Sequence, residues 1–156
     1  MQRIDLDQTL LPDYSALREE VKGEFSLANY IELRGNHELT AAMAQLFWPD
    51  FVVWRGCVLR KDAFHAESFD TWWQHTNGDT TTIERVINLV HVHDLHGDNS
   101  ILDRDVYQYI GESLAAMWGA RVRELFPDRK FVAEYVETAE DGAEAAPTVY
   151  LYQATR

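Results

Sequence analysis

Asp103-Arg-Asp-Val-Tyr-Gln-Tyr-Ile-Gly-Glu-Ser-Leu-Ala-Ala-Met-Trp-Gly-Ala-Arg-Val-Arg-Glu-Leu-Phe-Pro127 gives way, after Asp128-Arg-Lys130, to Phe131-Val-Ala-Glu-Tyr-Val-Glu137. The apolar pattern changes period across that junction. In the first segment Val106, Ile110, Leu114, Met117, Trp118, Val122 and Leu125 fall at helical spacing. Pro127 ends the helix, because its ring and missing amide proton cannot continue one. In the second segment apolar and polar residues alternate, as they do along a half-buried strand. Thr148-Val-Tyr-Leu-Tyr-Gln153 alternates in the same way. A long helix followed by two strands in antiparallel register predicts an α+β chain, with its longest helix near 103–126 and a C-terminal hairpin of 131–137 and 148–153.

Working back toward the N-terminus, Thr81 and Glu84 have capping-box spacing ahead of Ile83, Val86, Ile87 and Val90. That apolar face predicts a helix continuing at least to Val90. Ser100 and Asp103 offer a cap for the long helix that follows. Residues 66–76 predict a short helix holding Trp72 and Trp73, closed by Asn77-Gly78. Residues 51–60, Phe-Val-Val-Trp-Arg-Gly-Cys-Val-Leu-Arg, are β-branched and aromatic and predict sheet. Arg55-Gly56 makes them either a hairpin with a two-residue turn or one bulged strand. Pro12-Asp13 starts a first helix and Leu27, Tyr30 and Ile31 mark a second. Asn36 caps a third, bearing Leu39, Ala42, Met43 and Leu46, which Pro49 stops. Thr138–Pro147 is small and acidic and is read as an exposed loop. Together these elements predict one domain over 1–156, a small antiparallel sheet packed against several helices.

The chain has 156 residues, 46% hydrophobic and 26% charged, which excludes wholesale disorder. Formal net charge is −12. Between 62 and 120 ten acids face only Arg85 and Arg104, a net −8, while the first 61 and last 36 residues contribute −2 each. With no basic stripe to displace counterions, direct nucleic-acid binding is disfavoured, and anionic membranes with it. A basic protein partner suits this charge. One cysteine, Cys57, allows no internal disulfide. With no apolar leader and no run long enough to cross a bilayer, a cytoplasmic setting is expected. No phosphate-cradling glycine motif, nucleophile elbow or other cofactor signature occurs.

Three of six histidines, His91, His93 and His96, fall in six positions beside Asp94 and Asp98. Imidazole and carboxylate bind zinc, manganese and iron. His91-x-His93-x-x-His96 has the histidine spacing of the metallo-β-lactamase signature. The aspartate which that signature places directly before the third histidine is Leu95 here, and no histidine follows His96. The family is therefore not assigned. If the helix runs on, His93 lies against Val86, Leu89 and Val90, and His91 shares a wet face with Glu84 and Asn88. Histidines at a helix C-terminus are favoured by its dipole, which explains the cluster without a metal.

On a helix Trp72 and Trp73 point about 100° apart, so both cannot sit centrally in one core. Trp48 and Trp54 are read as core, and Cys57 as a small buried hydrophobe. The expected function is a non-catalytic protein-binding module of immunity-protein, antitoxin or inhibitor type. Its contact surface would be Trp72, Trp73, Asp70, Asp79, Asp98 and Asp103, against a basic protein, with no cofactor. The rival is a metal-dependent hydrolase built on His91, His93, His96 and Asp98. A third reading is a structural protein or homodimer with no separate ligand.

Overall fold

The computed structural model describes residues 10–21, 23–96, 104–138 and 144–154. It is α+β, and its internal contacts gather into two compact units, Met1–Leu46 and Phe47–Arg156.

The first unit is helical: α1 (Pro12–Val21), α2 (Leu27–Arg34) and α3 (His37–Phe47). Ser26 and Asn29 form a capping box at the start of α2. The Asn36 carboxamide accepts the Glu38 and Leu39 amides at the start of α3. Tyr14 and Phe25 are buried against each other, with Tyr30 edge-on to Tyr14. Asp13 takes hydrogen bonds from Arg34 and Tyr30. The Arg34 bond is the chief reason the Asp13 carboxyl titrates below its ordinary range. The apolar face expected of α3 is not a core face, since none of its residues is buried.

The second unit opens with β1 (Phe51–Trp54) and β2 (Cys57–Arg60). Arg55 and Gly56 both have positive φ, +46° and +86°. This is the mirror-image turn whose twist suits a two-residue hairpin, so 51–60 is two strands. Next come α4 (Ala66–His75) and α5 (Thr80–Ile87). α5 does not continue to Val90. Its cap is Asp79 rather than Thr81, and after Ile87 the chain turns into β3 (Val90–His91) and a 3₁₀ turn, Val92–His96. The long helix α6 (Arg104–Leu125), β4 (Phe131–Thr138) and β5 (Glu144–Gln153) complete it. β4 reaches Thr138 and β5 starts earlier than expected, at Glu144, so the loop reading of 138–147 fails at Thr138 and for its last four residues; 139–143 lie outside the described residues.

The strands form two antiparallel sheets, β1-β2 and β3-β5-β4. α6 packs on the face of the second that carries Ala133, Tyr135, Val149 and Leu151. Trp118, Leu114 and Val122 are fully buried there. Small residues let the backbones approach. A Cβ on Gly111 would lie 2.2 Å from Cδ2 of Tyr135. Leu125, read as part of the apolar face, is 40% exposed. A second core cluster of Cys57, Leu59, Phe69 and Ile83 ties the hairpin to α4 and α5. Among the described residues no helix is long and apolar enough to cross a membrane.

Candidate functional site

Three places in the second unit concentrate polar or aromatic chemistry. The hairpin turn projects Arg55 over α4. Phe69 and Trp73 lie one helical turn apart and stack at 5.7 Å between ring centroids. The Arg55 guanidinium sits over both rings, at 5.7 and 5.4 Å, and its Nη1 pairs with Asp70 at 3.0 Å. The row continues through Phe64 to Trp54. Gly78, with φ +79°, closes against the Trp73 ring, where a Cβ would come within 3.1 Å. Trp73 is thus seated, while Trp72 points away beside His75 and is 38% exposed.

Trp54 is 42% and Trp48 41% exposed, so neither is the core residue the sequence suggests. Trp54 precedes the turn in a two-stranded sheet, and Trp48 lies beneath the Arg121 guanidinium, at 5.5 Å. Of the six surface residues expected from sequence, Asp70 and Trp73 come together through Arg55, with Trp72 on the same helix. Asp79 is exposed but occupied: it accepts the Thr81 amide and the Thr82 hydroxyl. The Thr82 bond, above all, holds its pKa down. Asp98 and Asp103 lie outside the described residues. Arg55 and Trp54 were missed. Their signal was the turn itself, which puts the residues beside Gly56 at the tip.

The histidines do not ride on an extension of α5: His93 and His96 fall in the 3₁₀ turn Val92–His96. His91 ends β3, opposite Thr148. The Thr148 hydroxyl donates to the Ala146 carbonyl (2.6 Å), so its oxygen accepts from His91 Nδ1 at 2.8 Å. The His91 and His93 rings face each other at 5.7 Å. His93, expected to be semi-buried, is exposed, and its Nε2 lies 2.9 Å from Asp94. The side chain of His96, and Asp98, lie outside the described residues. Among the described residues no group of three or more His, Cys, Asp or Glu side chains is placed to hold a metal.

The third place is the seam between the two sheets. Beyond its pairing with β3, β5 has no strand neighbour on that side among the described residues. The outer edge of β2 faces it, and the side chains of Glu84, in α5, and Asn88, its C-cap, fill the gap. Glu84 Oε1 accepts the Val58 amide (2.6 Å) and the Gln153 side-chain amide (2.6 Å), and Oε2 accepts the Gln153 backbone amide (2.5 Å). Asn88 Oδ1 accepts the Arg60 amide (2.8 Å), while its Nδ2 donates to the Val58 and Leu151 carbonyls (2.9 and 3.1 Å). Both are fully buried, so the wet face expected for them is a correction. The packing of α5 on both β2 and β5 explains it: Glu84 and the C-cap Asn88, one turn apart, face inward onto two strand edges whose backbone groups need partners. Burial pushes the Glu84 carboxyl up, against the three hydrogen bonds that favour its charge. The thiol of Cys57 is pushed up to about 12, by burial and then by Glu84 and Asp79, which leaves it inert as a nucleophile.

Outside this seam lies a cavity of about 750 Å³, lined by Gly56, Thr80, Asp128, Arg129, Lys130 and Gln153 among others. Arg129 Nη1 donates to the Gly56 carbonyl (3.1 Å) and to Gln153 Oε1 (3.3 Å). No protein-family model, curated protein or solved structure matches the chain.

Proposed function

We propose that the chain is a non-catalytic protein-binding module, of inhibitor or immunity-protein type, acting in the cytoplasm on a basic protein. The contact surface is the hairpin tip and the outer side of α4: Trp54, Arg55, Asp70 and Trp72. One observation carries the reading. Two tryptophans, Trp54 and Trp72, stand 42% and 38% exposed on elements whose remaining aromatic rings are packed. Tryptophan and arginine dominate binding energy where they are central to an interface. The charge supports a basic partner, because Glu67 and Asp79 are exposed on and beside the same helix in a segment of net charge −8, while Asp70 is balanced by Arg55. The stacked, paired Arg55 is rigid before contact, which reduces the entropy lost on binding.

The test is affinity purification with the wild type and with a Trp54→Ala/Trp72→Ala pair, followed by affinity measurement on the partner recovered. A stoichiometric basic partner is expected, bound at least ~100-fold less tightly by the double variant, which corresponds to about 2.7 kcal/mol. The melting temperature should stay within a few degrees. Equal affinity for both proteins overturns the assignment. So does a monomer–dimer equilibrium that the double variant abolishes, which would make the face a contact between copies.

A further inference from the structure

The cavity beside the start of α5 is not needed by the protein-binding face, and its chemistry is different. At about 750 Å³ it falls in the size range of small-molecule sites. In a chain of net charge −12, two consecutive cations, Arg129 and Lys130, line it. Among the described residues neither has an ion pair.

Arg129 is also positioned in advance. Its Nη1 is held by Gly56 and Gln153, and its guanidinium lies over the Phe126 ring at 5.6 Å. Among the described residues Nε and Nη2 have no hydrogen-bond partner, and they present the planar fork that matches two oxygens of a phosphate or carboxylate. The amide end of α5 adds little, since the Asp79 carboxylate already occupies it. Thr80 at the first turn of α5 offers a hydroxyl, among the described residues without a partner.

Two acids set the limits. Glu84 does not line the cavity; it accepts from the Gln153 side chain, and the Arg129 charge acts on it from the cavity side. Asp128 is exposed and lines the cavity itself. It repels a bare anion and accepts hydrogen bonds from hydroxyl groups. A ligand that satisfies both sets carries an anionic head and a hydroxylated body.

We propose that this cavity binds a small phosphate monoester with a polyhydroxyl body, the phosphate on Arg129 and Lys130 and a hydroxyl on Asp128. The probes are ribose 5-phosphate, inorganic phosphate and ribose, titrated into the full chain and followed by backbone amide NMR shifts. The variant is Lys130→Glu, at an exposed side chain that has no partner among the described residues, so the fold is retained; its thermal unfolding is checked alongside. Ribose 5-phosphate is expected to shift Gly56, Thr80 and Lys130 saturably, with a Kd at or below about 1 mM. Lys130→Glu should weaken it at least ~10-fold. Inorganic phosphate should bind more weakly than the ester, and Asp128→Asn should narrow that gap. Absence of saturable shifts at about 10 mM, an affinity untouched by Lys130→Glu, or equal binding of ribose overturns the proposal.

Discussion

Glu84 and Asn88 occupy positions that a sequence reading gives to solvent, and the physical reason they are buried is also what makes them testable. Each stands in for part of a strand. Val58, Arg60, Leu151 and Gln153 present backbone groups across a gap that neither sheet closes, and burying such groups unpaired costs about 1–3 kcal/mol each. Glu84→Gln replaces one acceptor oxygen by an NH₂ facing an N–H donor. The variant should lose about 1–3 kcal/mol at pH 7, read by urea unfolding. The pH dependence follows from the raised carboxyl. A group whose pKa is higher folded than unfolded contributes stability that is fully present below the unfolded value, 4.5, and is lost as pH rises through the folded one. The Gln variant has no such titration. The stability gap between wild type and Glu84→Gln should therefore be larger at pH 4 than at pH 7. A gap that widens with pH would mean that the three hydrogen bonds outweigh burial, and that the carboxyl is pulled down.

At the scale of elements, α6 turns on its small residues. Alanine normally gains up to about 1 kcal/mol over glycine within a helix. At Gly111 the new Cβ would overlap the Tyr135 ring, at 2.2 and 2.4 Å. Overpacking of this kind costs about 1–3 kcal/mol, so Gly111→Ala should lower the melting temperature. At Gly119 the nearest atoms are the mobile end of Arg123 at 3.2 Å and the Ala133 methyl at 3.4 Å. Gly119→Ala should be neutral or stabilising, and the pair measured by calorimetry separates steric fit from propensity. If both raise stability, the close approach at Gly111 is wrong. Elements like α6 and the C-terminal hairpin were legible because period, proline and glycine act locally, whereas Arg55-Gly56 left a hairpin and a bulged strand equally open until the strand pairing decided it. The end of α5 was not. Ile83, Val86, Ile87 and Val90 fit a helix, and the strand at Val90–His91 exists only because β5 supplies the partner edge. The same blindness hid the geometry around Arg55. Trp72 and Trp73 were visible as a pair that must divide, but Arg55 joins Asp70 and Trp73 across fifteen or more positions, a relation that no window of sequence contains. The cavity escaped for that reason too, since Gly56, Thr80, Arg129 and Gln153 come from the hairpin turn, α5, the loop after α6 and β5.

At the scale of the whole molecule, charge is the property that reaches furthest. A surface of net charge −12, with −8 between 62 and 120, projects a negative field well beyond any one contact. Such a field speeds the approach of a basic partner and has much less influence on escape once the partner is seated. Screening separates the two. The Debye length shrinks from about 10 Å at 0.1 M salt to about 3 Å at 1 M, so the long-range part is removed while packed contacts persist. For the partner recovered with Trp54 and Trp72, the association rate should fall at least ~10-fold between 50 mM and 500 mM NaCl, with the dissociation rate changing much less. The tryptophan pair should show the opposite signature, faster dissociation with association nearly unchanged, because truncated hot spots act after encounter. Surface plasmon resonance on both proteins at both salt concentrations resolves the four rates. An association rate indifferent to salt would mean that the acids of 62–120 serve solubility alone and that the partner is recognised by its apolar surface.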